Sequence, residues 1–351
     1  MTQMRSWPAT MAICGARWPL QPAKARPILT MGDAPDPTAT LFQIDWNRHS
    51  AAQWWTMLDS CARPTLPQSP AYAAANAEVE NGGADYGLIR FQGKPVGMTI
   101  VTQKRGFAGA ANSSLYRGPL WIYDEIPAEM LKVALRQLRY RHRWWRGRPL
   151  TFHPELTDGP ANRKILKDAG FRRVADGYTT LWLDLSPPLE ALRANLRGKW
   201  RNQLTQAEKH GVEVIAATDD GQFEWLYENH ASHMEAHNYR GPSPALLRAL
   251  RQNTPAGQEP LLLIAHHAGA PVAGILLAVH GKSATYLVGW SGDAGRPVRA
   301  HNLLLWRAVE QLKSAGLRWL DLGGINAEAP GVASFKQGMG GETTTLVGGY
   351  V

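Results

Sequence analysis

Cysteine is scarce: Cys14 and Cys61 are the only two among 351 residues. Their spacing fits neither a disulfide framework nor a thiolate metal site, which points to a reducing compartment and to an expected cytoplasmic location. No run of 18 or more apolar residues occurs, so no membrane-spanning helix is expected. Several familiar chemistries are also missing. There is no GxxxxGKS/T phosphate loop, no GxGxxG following a strand and no GxSxG elbow. HExxH is absent too. His230, His233 and His237 stand at i, i+3 and i+7 with Glu235 beside them, but that spacing reads as a polar helix face or cleft wall, and no metal is expected.

Acidic residues are the minority sign, 29 Asp and Glu against 38 Lys and Arg, for a net charge of +9. That balance suggests an anionic partner such as nucleic acid, a nucleotide or a lipid headgroup. With 44% hydrophobic and 19% charged residues the chain is globular, and its length suits two domains better than one core. Tryptophan is plentiful at fourteen, and some lie beside arginines, as in Arg143-Trp144-Trp145-Arg146. Such pairs stack on bases or sugars, or pack half-buried under snorkelling cations. Residues 1–38 are basic and proline-rich and read as a disordered extension, with Met31 an alternative start.

Folded sequence is expected from about Leu41, with helices over 50–60 and 70–81. Asp85–Lys104 reads as a hairpin turning at Gly93-Lys94-Pro95, followed by a strand over 114–121, a helix over 127–145 and a strand over 150–153. A helix over 162–169 stops at Gly170, and 179–185 alternates as a strand. Leu189, Leu192, Leu196, Trp200, Leu204 and Ala207 form a helical stripe with a break near Gly198. The second half then repeats the plan. Leu261–His280 is another hairpin, and Gly269-Ala270-Pro271-Val272-Ala273 echoes Gly93-Lys94-Pro95-Val96-Gly97. A strand over 285–289, a helix over 302–315 and a strand over 317–322 follow in the same order. The repeated order predicts a duplication of mixed α/β domains. Their boundaries are expected at 39–185 and 186–342, with 343–351 available to complete the first.

Near the C-terminus, Lys336 is a single cation in a glycine-rich setting, VASFKQGMGGE, which on its own reads as a solvated turn. Asp321 ends a strand before Gly323-Gly324, where a carboxylate serves either as a base or as a cap for the turn.

Taken in order, QSPAY (68–72), YRGPLW (116–121), TLWLDLSPPLEALRANLRGKWRNQLTQAEKHGVEV (180–214), WLDLGGI (319–325) and Phe335-Lys336 ahead of GMGG resemble the FemABX family. These aminoacyl-tRNA-dependent peptidyltransferases build peptidoglycan cross-bridges. The resemblance extends to the wider FemAB-like acyltransferases and runs from about Leu41 to Val351. It implies two tandem GNAT-like (acyl-CoA N-acyltransferase-like) domains, here without the coiled-coil arm that some members carry. It implies that Lys336 is the catalytic cation, stabilising the oxyanion as an amine attacks an aminoacyl ester, with Phe335 beside it. Lys199, Arg201 and Arg240 then become candidates for binding a pyrophosphate or carboxylate, with Tyr239 on the same wall. Asp321 joins the substrate-binding set, and Arg117 is either a cleft residue or a structural turn residue.

Three functions follow. One is aminoacyl transfer from aminoacyl-tRNA to an amine of a UDP- or lipid-linked peptidoglycan precursor, by a monomer without a cofactor that touches the inner membrane face only peripherally. Another is N-acyl transfer from acyl-CoA, although Gly292 and Gly295 do not form the R/Q-x-x-G-x-G/A loop that holds CoA in GNAT enzymes. The third is non-catalytic binding of tRNA or glycan by the same fold.

Overall fold

The computed structural model describes residues 42–105, 111–142, 149–325 and 329–351. The N-terminal extension with Cys14 and Met31, and the Arg143–Arg146 cluster with the end of its helix, lie outside the described residues.

The first half runs through β1 (Phe42–Trp46), α1 (Ala51–Ser60), a 3-10 turn at Leu66–Gln68 and α2 (Pro70–Val79). The hairpin β2 (Gly82–Phe91) and β3 (Lys94–Arg105) follows, then β4 (Ala111–Gly118) and β5 (Leu120–Trp121). Next come α3 (Ala128–Arg141), β6 (Leu150–Pro154), α4 (Pro160–Asp168) and β7 (Arg173–Ala175). The second half comprises β8 (Thr179–Asp184), α5 (Leu189–Asn195), α6 (Gly198–Lys209), β9 (Glu213–Ala216), α7 (Asp220–His237) and α8 (Pro244–Gln252). It continues with β10 (Leu261–His267), β11 (Ala270–His280), β12 (Ser283–Ser291), α9 (Ala300–Ser314) and β13 (Trp319–Gly324). The chain closes with α10 (Pro330–Gln337), β14 (Glu342–Thr345) and β15 (Gly349–Tyr350).

Two mixed sheets result, ordered β1-β2-β3-β4-β6-β15-β7 and β14-β8-β13-β12-β11-β10-β9, with β5 beside β3. Each contains an antiparallel hairpin and meander followed by one parallel pair, β4 with β6 and β12 with β13. Parallel neighbours need a long crossover, which α3 and α9 supply. The duplication extends to backbone detail. Gln92-Gly93 (φ 50 and 76°) and Ala268-Gly269 (φ 51 and 79°) both turn through positive φ, as tight hairpins require. Past each turn the register slips by one residue, at Val96 and at Val272, so a bulge follows the proline in both hairpins.

The boundary expected after residue 185 is corrected by strand pairing. β8 pairs with β13 and β14 and so belongs to the second sheet. The C-terminal segment is divided: β14 joins the second sheet, while β15 crosses back to lie between β6 and β7 of the first. The single stripe over 189–207 is carried by two helices, because Leu196 and Arg197 are extended (ψ 135 and 144°); Leu192, Leu196, Trp200, Leu204 and Ala207 are all buried. The glycine-rich segment around Lys336, read as a turn, is the helix α10.

The halves meet across an apolar seam. Ala71 and Ala75 on α2 share a buried cluster with Ala249 and Leu250 on α8 and with Ala278 on β11, small side chains that let the helices approach closely. Within the first sheet, β3 pairs with β5 at Gly97–Met98 and with β4 from Thr102 onward, leaving a gap around Ile100. Gln68 fills it. Its Oε1 accepts from Ile100 N (2.7 Å), and its Nε2 donates to Ile100 O (3.1 Å) and Tyr116 O (2.8 Å). Gln68→Leu orphans these buried backbone groups and is expected to cost about 3 kcal/mol, measured as a lowered urea midpoint at constant m-value.

Candidate functional site

In open sheets ligands gather beyond the carboxyl ends of parallel strands. Here the two parallel pairs point their ends at one cavity of about 790 Å³, lined by Tyr116, Arg117, His153, Tyr178, Thr285 and Asp321 among others. On the first sheet Tyr116 opposes His153 in the register, and their rings stack at 4.7 Å. On the second, β12 and β13 pair only from Ser283–Thr285 to Trp319–Asp321 and then part. A bulge at Leu287 on β12, opposite Leu276 and Leu277, accompanies that parting, and Leu287 also lines the cavity.

A buried charge cluster sits where the sheets meet. Arg117, at positive φ (52°), sends Nε to Glu155 Oε2 (2.7 Å), Nη2 to Glu155 Oε1 (2.9 Å) and Nη1 to Asp321 Oδ2. Its guanidinium lies against the rings of Trp182 (5.3 Å) and Tyr178 (5.6 Å). Burial disfavours this cation, but the carboxylates of Glu155 and Asp321 outweigh burial and hold its pKa above the ordinary arginine value. Asp321 Oδ1 accepts from Thr180 Oγ1 (2.5 Å) and from Gly323 N (2.8 Å). Three donors, two on Oδ1 and one on Oδ2, hold the Asp321 carboxylate in place. Of the two sequence readings, base or turn cap, the geometry is that of a cap that also pairs with Arg117. Behind it His280 Nε2 lies 2.9 Å from Thr285 Oγ1, and burial pushes the imidazole down to about 3, so it is neutral.

Lys336 sits in the last turn of α10 and is only 8% exposed. Its Nζ donates to Gly324 O (2.8 Å) and lies 5.8 Å from the Tyr286 ring centroid. Among the described residues it pairs with no carboxylate. Burial lowers its pKa, and the charge of Asp321 partly opposes that shift. The turn that receives the ammonium depends on two glycines. Gly323 takes φ +73°, and a Cβ on Gly324 would meet the Tyr178 ring at 2.9 Å. On the α9 side, Tyr286 Oη lies 2.9 Å from His301 Nε2, and Phe335 packs 6.0 Å from Trp200 and 5.8 Å from His301 between ring centres. Burial drives the Tyr286 phenol up and His301 down to about 4.

The other expected residues make no contact with this centre among the described residues, although the charge of Tyr239 reaches the Tyr286 phenol. Lys199 and Arg201 are exposed on α6, where Arg201 bonds only Ala194 O (3.1 Å) among the described residues; the intervening Trp200 is the one that packs on Phe335. Arg240 is exposed, and Tyr239 Oη lies 3.2 Å from His233 Nδ1. His233 stacks on His237 at 4.1 Å while His230 bonds Pro242 O, so the three histidines do not converge. Sequence reasoning missed Glu155, Thr180, Tyr286 and His301. Thr180 opens the TLWLDL stretch but was not singled out within it, and Glu155, Tyr286 and His301 belong to no motif; their sheet and helix positions bring them together.

Residues 191–337 match the acetyltransferase (GNAT) domain family. No curated protein sequence matches the chain. Solved structures share its fold at low identity. The structure described as FemX superposes with a TM-score of 0.74 at 13% identity, covering 87% of this chain and 96% of that one. A conserved protein of unknown function from Bacteroides thetaiotaomicron gives 0.58 at 14% identity, over 88% and 98%. The C-terminal domain of a putative lysylphosphatidylglycerol synthetase from Agrobacterium fabrum gives 0.51 at 15% identity, over 86% and 91%. The fold is thus a mixed α/β architecture of FemX type whose second half matches an acetyltransferase (GNAT) domain.

Proposed function

We propose that this chain is an aminoacyltransferase that moves an aminoacyl group from aminoacyl-tRNA to an amine of a peptidoglycan precursor, UDP- or lipid-linked. The observation that carries this reading is the Lys336 ammonium, buried at the parting ends of β12 and β13 without a carboxylate partner among the described residues. A cation held there without neutralisation has its charge available for a developing anion. In the reaction the neutral amine nitrogen attacks the ester carbonyl and the carbonyl oxygen becomes an oxyanion beside Lys336. The C–O bond to the ribose then breaks, and the proton lost by nitrogen passes to the departing ribose oxygen, so no dedicated side-chain base is required. The cavity between the two sheets, lined by Arg117 and Asp321 and not by Lys336 itself, is of a size that suits a small glycopeptide acceptor.

The sequence ahead of α9 favours tRNA over acyl-CoA as donor: Gly292 and Gly295 do not form the R/Q-x-x-G-x-G/A loop that cradles a pyrophosphate at such a helix start, and their own amides donate to Val272 O and Gly292 O. The positive charge suits a polyanionic donor. The same reading makes the protein a cytoplasmic monomer that needs no cofactor and meets the inner membrane face only through a lipid-linked acceptor; no helix among the described residues is long and apolar enough to cross a membrane.

The test is direct. Incubating the protein with charged tRNA and UDP- or lipid-linked muropeptide is expected to give a product heavier by one aminoacyl residue. Free thiol release from acyl-CoA with no such product overturns the donor assignment. Binding of tRNA or glycan without turnover under either condition overturns catalysis.

A further inference from the structure

The sequence left Arg117 and Asp321 as substrate-binding candidates, yet both spend their polar atoms on the protein. Asp321 closes the irregular end of β13. In the register Asp321 opposes Trp182 and Gly324 opposes Thr180, so β13 carries one extra residue between them. That bulge is pinned by Asp321 Oδ1, which accepts from Gly323 N (2.8 Å) and from Thr180 Oγ1 (2.5 Å). With Gly323 at φ +73°, the turn aims Gly324 O at Lys336 Nζ, 2.8 Å away. The other carboxylate oxygen is held by Arg117, which arrives from the first sheet, lines the cavity and is itself locked by Glu155.

We propose that Asp321 and Arg117 are positioning residues: Asp321 shapes the turn that holds the Lys336 ammonium and supplies the negative charge behind it, and Arg117 fixes and partly neutralises that carboxylate from the opposite sheet. Among the described residues the groups around Lys336 are few: Asp321 of β13 behind the Gly323-Gly324 turn, Tyr286 from β12 with His301 of α9 behind it, and Tyr178 from the segment before β8. Of these, Asp321 is the carboxylate. Changing the charge at positions 321 and 117 therefore moves the Lys336 charge equilibrium in opposite directions. The catalytic consequence rests on the proposed function; the electrostatic one does not.

Asp321→Asn keeps the shape of the side chain and removes its charge. Arg117→Gln removes the cation. Lys336 is titrated without substrate, by following its labelling with acetic anhydride against pH by peptide mass spectrometry in the full chain. The midpoint is expected to fall in Asp321→Asn and to rise in Arg117→Gln. A site that merely loosens and exposes Lys336 raises the midpoint in both variants, which overturns the proposal, as does an unchanged midpoint in Asp321→Asn. Asp321→Asn is decisive alone if Arg117→Gln fails to fold, because a fall in the midpoint there is expected only from the proposal. In the transfer assay Asp321→Asn is expected to lose kcat on the order of 10²-fold at near-constant KM, the loss typical of a reacting group displaced by about 1 Å. If the midpoints move as stated but the unaltered protein transfers no aminoacyl group, the functional reading fails and this inference stands.

Discussion

On the proposed function, Lys336→Met is expected to lower kcat for aminoacyl transfer by about 10²- to 10³-fold, the loss seen when one donor to a developing oxyanion is removed, while the fold persists. Methionine keeps an unbranched stem of similar volume in the space beside Phe335 and Tyr286 and removes only the charge. The wild-type ammonium is held in that space against its own hydration, since it is buried and its one hydrogen bond among the described residues goes to a neutral carbonyl. Removing it relieves that cost, so Tm is expected at or above the wild-type value even as turnover collapses. A loss of both activity and Tm would instead identify Lys336 as a structural residue.

The pH profile gives the same prediction a sign. Burial holds the Lys336 pKa below the ordinary lysine value. On the proposed mechanism the active form is protonated, so turnover is expected to be lost as pH rises through that lowered pKa, earlier than for a solvated lysine. Stability runs the other way. Between the folded and unfolded pKa values the unfolded chain binds the extra proton, so this residue's contribution to stability increases with pH across that window. Activity and stability therefore part company on the alkaline side, and Lys336→Met abolishes that divergence.

What the sequence made legible was local. Both hairpins were readable because proline and glycine punctuate them at matching positions, and the structure places the same positive-φ turn and the same bulge in each. The Leu192 to Ala207 stripe was readable because burial repeats every three to four residues. The helix α10 was not. Its sequence, PGVASFKQ before GMGG, has little helix propensity, and the helix is held by packing: a Cβ at Gly338 would come within 2.5 Å of Trp200. The sheet membership of β8 was equally hidden, because an alternating strand carries no mark of the sheet it joins. Arg117 and Asp321 stand 204 positions apart. Each was visible as a polar residue at a strand end, but nothing short of the tertiary fold says that they bond to each other and not to a ligand.

That pairing sets up the second large effect. Arg117→Ala leaves Glu155 and Asp321 buried with no cation between them, and breaking a buried ion pair from one side typically costs about 3–5 kcal/mol. The side chains of all three are at most 12% exposed, so solvent does little to screen the loss. Packing is lost as well, because the guanidinium covers Trp182 and Tyr178. Chemical denaturation at neutral pH should show the full deficit. The deficit should shrink as pH falls, because protonation relieves an unpaired buried carboxylate. Adding Asp321→Asn to Arg117→Ala should recover part of the stability, the non-additivity expected of side chains in direct contact. Additive losses in that cycle, or a deficit under about 1 kcal/mol, would mean that Arg117 does little to join the two sheets, which the α2 and α8 seam and contacts such as Trp319 Nε1 to Ala62 O then hold together. In that case Arg117 would be free to meet a ligand in the cavity, and it would no longer hold the carboxylate behind Lys336.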